Sequence, residues 1–245
     1  MPAAITLPVP NGSVFFGNSV ALSGNNVLVG ADESNGDQGA AYLYNSSGIL
    51  LLTFTDPGNT VGDDFGSSVA LSGNDMLVGA FGTNGANGAA YLYNTSGTLL
   101  QTFNDPRNNA HDYFGSAVAV SGNDVLVGAV GTNSNQGTAY LYDDTGTLLQ
   151  TFNDPNNAGE DGFGFSAALS GSDVLVGATR GSDDAGAAYF FNASGTLLQT
   201  FNDPDNNDND FFGTAVALSG NDVLIGADGS IGGACPYIVL ARATS

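Results

Sequence analysis

An all-β fold built from five equivalent sheets is predicted by three observations. Near-identical stretches begin at Phe16, Phe65, Phe114, Phe163 and Phe212, each 49 residues after the last, with no insertion or deletion between them. Short apolar-alternating runs alternate with clusters of Gly, Asn, Asp and Pro, and no segment carries helical periodicity. The chain ends complete the pattern, because residues 212–245 number 34 and residues 1–15 supply the 15 that make one more period of 49.

The copy beginning at Phe65 gives the elements in order. "SSVALS" alternates as a first strand, and "SGND" is a turn. "MLVGA" is a β-rich second strand followed by the loop "FGTNGANG". "AAYLY" makes the third strand, "NTSG" a tight turn and "TLLQTF" the fourth strand, before the loop "NDPRNNAHDY". Four antiparallel strands per unit of roughly 40–50 residues describe a propeller blade. The chain is therefore expected to be one domain over residues 1–245, a five-bladed β-propeller. In register, Ile5 takes the place of Phe54, Phe103, Phe152 and Phe201, and Pro8 that of Pro57, Pro106, Pro155 and Pro204. Residues 1–15 are thus expected to supply the outer strand of the last blade and close the ring, protecting two sheet edges.

Packing gives each recurring position a reason. The Phe of each "FG" is expected to wedge between neighbouring blades, and its Gly to allow close backbone approach near the axis. Tyr91 and Tyr93, like Tyr140 and Tyr142, share one face of the third strand, where blade-to-blade packing is the simplest role for aromatic rings.

Composition narrows the partners. The chain has 24 acidic residues and three bases, Arg107, Arg180 and Arg242, for a net charge of -21. That charge argues against nucleic acid, whose binding depends on Lys and Arg displacing counterions. It argues equally against anionic membrane surfaces, and no apolar run is long enough to insert in a membrane. All acids but Glu33 and Glu160 are aspartates, concentrated in turns. Cys235 is the single cysteine, so no intrachain disulfide can form. The opening "MPAAITLPVPNGSV" has neither a basic region nor an apolar one, so no signal peptide is expected.

"FGSSVALSGNDMLVGA" resembles the FG-GAP repeat of integrin alpha-chain propellers and of many bacterial repeat proteins, and the resemblance extends through all five copies. It implies a propeller and an extracellular or cell-surface setting. Three departures stand out. The proline of "GAP" is replaced by Asp32, Phe81, Val130, Thr179 and Asp228. Integrin propellers have seven blades, whereas this chain closes at five. The family's calcium loop between the first two strands has shrunk to "SGND", where Asp75, Asp124, Asp173 and Asp222 match only its last aspartate. Four residues cannot wrap a cation that needs six to eight oxygens, so that metal site is not carried over.

Strand alternation sends the loops after strands two and four to one face, which holds the longer and more varied segments. The resemblance places ligands there too, and variable loops on a rigid scaffold suit recognition. One pattern recurs: Asp56, Asp105, Asp154 and Asp203 open the loop, Asn59, Asn108, Asn157 and Asn206 follow, and Asp63, Asp112, Asp161 and Asp210 close it. Asp105, Asn108, Asp154, Asn157, Asp203 and Asn206 are the candidate ligand-binding residues. Asp203, Asp205, Asp208 and Asp210 form the densest oxygen-rich cluster and could hold Ca²⁺, although turn initiation by Asp-Pro explains the same residues more simply. Asn45, Asn94 and Asn192 begin Asn-x-Ser sequons in the turn between strands three and four. Glycosylation there competes with plain hairpin chemistry, which is preferred without an export signal.

Catalysis is not expected. His111 stands alone, no lysine exists, and the acids are repeated turn residues rather than a unique constellation. The expected function is non-catalytic binding or adhesion, with a protein or glycan as ligand and no required cofactor. The alternative is a structural subunit that packs with copies of itself into an extracellular fibre or surface layer, and a glycoside hydrolase ranks below both.

Overall fold

The computed structural model describes residues 4–156, 159–179, 185–204, 210–228 and 237–243. Its described strands fall into five antiparallel sheets. The first contains β1 (Val20–Ser23), β2 (Asn26–Ala31), β3 (Ala40–Asn45) and β4 (Leu50–Thr55). The second contains β5 (Phe65–Ser72), β6 (Asp75–Ala80), β7 (Ala89–Asn94) and β8 (Leu99–Asn104). The third contains β9 (Phe114–Ser121), β10 (Asp124–Ala129), β11 (Thr138–Asp143) and β12 (Leu148–Asn153). The fourth contains β13 (Phe163–Ser170), β14 (Asp173–Ala178), β15 (Ala187–Asn192) and β16 (Leu197–Asn202). The fifth has β17 (Phe212–Ser219), β18 (Asp222–Ala227) and β19 (Tyr237–Arg242). Strands follow chain order in every sheet, as in a meander of up-and-down hairpins.

The turns obey their residues. In each β1–β2-type hairpin the Gly of "SG" sits at positive φ, as at Gly73 (58°) and Gly122 (58°). After the second strand, the loop makes one left-handed turn, with φ of 55° at Asn84 and 74° at Gly85. Asn and Gly recur in these loops because they tolerate that region best.

Adjacent blades interlock the same way four times. Phe65, Phe114, Phe163 and Phe212 are fully buried, and each forms a parallel bridge with the preceding blade, at Gly39, Gly88, Gly137 and Gly186. Phe65 packs on Tyr91 and Tyr93 of its own blade, while Phe54 of the blade before it lies 5.0 Å from Tyr93. The tyrosine faces are therefore filled by packing. Gly79 shows why a glycine ends the second strand: a Cβ there would lie 2.1 Å from the Gly115 carbonyl oxygen of the next blade. Gly30, Gly128 and Gly177 meet Gly66, Gly164 and Gly213 in the same manner.

The fifth junction differs. Near Gly226 a Cβ would meet only Ala215 of its own blade, at 3.6 Å. The last sheet has three strands among the described residues, and residues 4–15 form no strand. These residues lie instead against the first blade. Leu7 and Phe16 pack on Tyr42 and Tyr44, the Tyr44 hydroxyl donates to the Pro8 carbonyl at 2.6 Å, and Ser13 Oγ donates to the Tyr42 hydroxyl at 2.8 Å. They occupy the side of blade one that an outer strand of a preceding blade would cover.

Candidate functional site

The loops after strands two and four share one face, and a cavity of about 580 Å³ opens at its centre. Asn18, Ser67, Ser116, Phe165 and Thr214, the same position of all five copies, line it together with Asp32, Phe81, Tyr113 and Val130. One position from each of the five blades thus meets at a single cavity. A smaller cavity of about 170 Å³ adjoins it, sharing Tyr113, Val130 and Phe165 and adding Glu160 and Thr179.

Three aromatic rings in this mouth break the repeat. Phe81 stands where other copies have Asp, Val or Thr, Phe165 where they have Asn, Ser or Thr, and Tyr113 where they have Asp, Gly or Phe. Phe81 and Tyr113 form an edge-on pair at 6.0 Å, and His111 packs edge-on against Tyr113 at 6.0 Å. Polar groups alternate with the rings. Asn18 Nδ2 donates to Asp32 Oδ2 at 2.9 Å, and Asp32 Oδ1 is buried without a hydrogen-bond partner among the described residues. Burial pushes the Asp32 carboxyl up from its ordinary value. The nearby Asp64 is raised to about 6, first by burial and then by Asp32, Asp37 and Glu33.

The recurring Asp-Pro loops hold their aspartates beneath the surface. Asp105 is 6% exposed and accepts hydrogen bonds from the backbone of Arg107 and Asn109, at 3.0 and 2.9 Å. Asp56 does the same with Gly58 and Thr60, and Asp154 with Asn156. These are turn-forming carboxylates, buried as is Asp203 and not offered to a bulky ligand. Asn108 sits at a φ of 52° and its side chain accepts from Asn87 Nδ2 at 3.1 Å, tying two loops together. Asn157, Asn206, Asp205 and Asp208 lie outside the described residues.

In three copies the opening aspartate faces the one that closes its loop. Burial, and then the Asp56 charge, raises Asp63 to about 6, while burial and the Asp154 charge raise Asp161 to about 7. Asp112 is raised by burial and Asp105, with Arg107 opposing from 3.8 Å. In the fourth copy of the loop Asp203 and Asp210 are both buried, at 5% and 1% exposed. This pairing was hidden in the sequence because an aspartate in a polar loop reads as solvated. Among the described residues no group of three or more His, Cys, Asp or Glu side chains is placed to hold a metal.

The sequon asparagines have a structural task. Asn94 Oδ1 accepts the backbone N–H groups of Ser96 and Thr98, at 3.1 and 3.0 Å, and Asn45 and Asn192 brace the same turn. Asp143 takes the place in the third blade and accepts the same pair of bonds from Thr145 and Thr147. A residue that cannot be N-glycosylated does the same work.

Fold and site together define a propeller-type repeat protein with an axial mouth on its loop face. The FG-GAP repeat family matches residues 3–44, 53–93, 106–142, 149–191 and 196–234, so the chain belongs to that family. The crystal structure of the computationally designed Ika4 protein is similar in fold, at 18% identity and a TM-score of 0.52, covering 78% of this chain and 99% of that one. No curated protein matches the chain. The family and fold make it a binding or structural repeat module. No helix among the described residues is long and apolar enough to cross a membrane.

Proposed function

We propose that the chain is a non-catalytic binding module that takes a protein or glycan ligand on its loop face, in an extracellular or cell-surface setting as the family suggests. The observation that carries this reading is the axial mouth, where the rings that break the repeat gather among polar side chains. A ring needs equivalent blades for packing, but packing gives no reason for Phe81, Tyr113 and Phe165 to differ from their counterparts around one cavity. Aromatic faces beside an Asn, an Asp and several hydroxyls suit a neutral, hydroxyl-rich ligand, which stacks on rings and donates to carboxylate oxygens. A glycan array is the test. Binding is expected to fall at least tenfold in Phe165→Ser, the residue of the second and third copies; an array without hits contradicts the glycan form of this reading.

The fold supports ring closure as part of the same proposal. By the register of the fourth blade, Ile5 holds the place of Phe201, whose partner Ala188 has Ile238 as its counterpart in β19. Both Ile5 and Ile238 are exposed, at 58% and 70%, as unpaired edge residues would be. The family matches also begin in or near an outer strand and run into the next blade. In a closed ring Gly226 meets Gly17 as Gly177 meets Gly213, so Gly226→Ala lowers the melting temperature. An unchanged melting temperature argues against closure.

Self-assembly is the second reading, favoured by Val20, Leu22, Leu224 and Leu240, which remain exposed on the two terminal blades. Light scattering separates the two: a particle mass independent of concentration fits the binding module, and growth with concentration fits the assembling subunit.

A further inference from the structure

Each interior blade junction carries the same pair of positions at the mouth, one just after the second strand and one just before the next "FG". The pair is Asp32 with Asp64 at the first junction and Phe81 with Tyr113 at the second. It is Val130 with Gly162 at the third and Thr179 with Phe211 at the fourth. The second member stands in left-handed backbone throughout, with φ of 53° at Asp64, 53° at Tyr113, 64° at Gly162 and 49° at Phe211. The bond that fixes it also recurs: the Tyr113 N–H donates to the Ala86 carbonyl at 3.0 Å, and the Gly162 N–H to the Asn135 carbonyl at 2.8 Å. The second and third junctions therefore differ in side chain, not in chain path.

The cavity of about 170 Å³ lies where that side chain is missing. Gly162 lines it, with Tyr113, Val130 and Phe165 as apolar walls. A Cβ on Gly162 would stand 3.6 Å from Val130 Cγ2 and 3.5 Å from Thr179 Oγ1, both ordinary contacts, so the space for a side chain exists and the sequence leaves it open. A cavity of about 150 Å³ admits one six-membered ring. The remaining lining is polar, from Asn135, Glu160 and Thr179. Glu160 holds a left-handed φ of 68° where the first copy has Gly62, so an acid is kept where glycine is the least strained choice.

Walls and rim together select the occupant. A plain aromatic ring, which the neighbouring junction builds in as Tyr113, would leave the three polar side chains little to bond. A pyranose ring offers an apolar face to the walls and hydroxyls to the rim. The Glu160 carboxylate and the net charge of -21 disfavour an acidic sugar. We propose that the slot at Gly162 takes the terminal residue of a neutral glycan, with its ring against Tyr113 and Phe165 and its hydroxyls on Glu160 and Asn135. The adjoining central mouth then takes the residues that follow. This assignment rests on the glycan form of the binding reading and adds to it that the ligand is read by its end.

A titration of the full chain with the neutral methyl pyranosides of glucose, galactose, mannose and N-acetylglucosamine, followed by saturation-transfer NMR, is the test. At least one is expected to bind, and methyl glucuronide at least tenfold more weakly. Gly162→Tyr, which copies the second junction, should weaken binding at least tenfold and leave the melting temperature unchanged or raised. Glu160→Ala, a change at an exposed side chain, should weaken binding about tenfold and decides alone if Gly162→Tyr does not fold. Glycan-array hits without binding of any methyl pyranoside, or pyranoside binding unaffected by either variant, overturn the slot and leave the glycan reading standing. An array without hits together with no pyranoside binding overturns both. Binding of N-acetyltyrosinamide but of no pyranoside gives the slot to an aromatic side chain and also overturns the proposal.

Discussion

The interior junctions and the two terminal faces are built from the same residues at the same register, yet they are in opposite states. Leu77 and Leu126 are fully buried beneath the following blade, whereas Leu224, their counterpart in blade five, is 39% exposed. Val69 and Val118 are 9% and 8% exposed on β5 and β9, whereas Val20 on β1 is 66% exposed. The difference teaches that a blade's hydrophobic face is not completed by its own sheet. Each blade buries its apolar residues only against a neighbour, as repeat proteins in general do, so the terminal faces carry the information about closure or assembly.

The largest effect expected from breaking an interior junction is at the wedge. Phe114→Ala removes a fully buried ring in contact with Tyr140 and Tyr142 and is expected to cost about 3–5 kcal/mol in chemical denaturation. Phe16→Ala removes the equivalent ring from blade one, where it is only partly covered, and should cost roughly half as much. Equal costs would mean that Phe16 is as enclosed in solution as its interior counterparts.

Leucine truncation sharpens the same comparison. Leu126→Ala is expected to cost about 2–5 kcal/mol. Ring closure predicts that Leu224→Ala approaches that figure, because blade one would then cover it. A cost below about 1 kcal/mol would mean that the face of blade five stays uncovered.

A smaller effect concerns the buried aspartate pairs. Asp63 and Asp161, raised to about 6 and about 7, bind protons in the folded state that the unfolded chain has already released. Stability contributed by these groups is therefore fully present below about pH 4 and is lost as pH rises through about 6–7. A melting temperature several degrees higher at pH 5 than at pH 7.5 is expected. A rise in stability over that interval would contradict the placement of these carboxyls in unrelieved pairs.

The smallest effect lies at the hairpin tips. Asn94→Ala removes two turn hydrogen bonds and should cost about 1 kcal/mol. Asn94→Asp should be close to neutral in a urea titration, since Asp143 already does this in blade three.

Much of this architecture was legible in the chain. The period, the alternation of "SSVALS" and the Gly-Asn corners foretold sheets, hairpins and blade boundaries, because strand pairing inside one blade is local in sequence. The site was less legible. Asp105 and Asp154 are expected from the sequence to meet a ligand but are buried as turn carboxylates, close enough to Tyr140 and Tyr189 of the neighbouring blade to raise those phenols. The aromatic mouth joins Phe81, Tyr113 and Phe165 from three blades, and no spacing rule links them. Their signal was present as departures from an otherwise uniform repeat. Comparing copies for what differs would have found them, where comparing for what recurs found only the scaffold.

Closure is the point on which fold and function meet, since an axial mouth is complete only in a closed ring. A chain carrying Ile5→Cys, Ile238→Cys and Cys235→Ser tests it under mild oxidation on a non-reducing gel. Paired neighbouring strands place such residues within disulfide reach. Closure predicts a rapid crosslink within single chains that leaves the mass monomeric. Covalent dimers and longer ladders, or no crosslink at all, would contradict it.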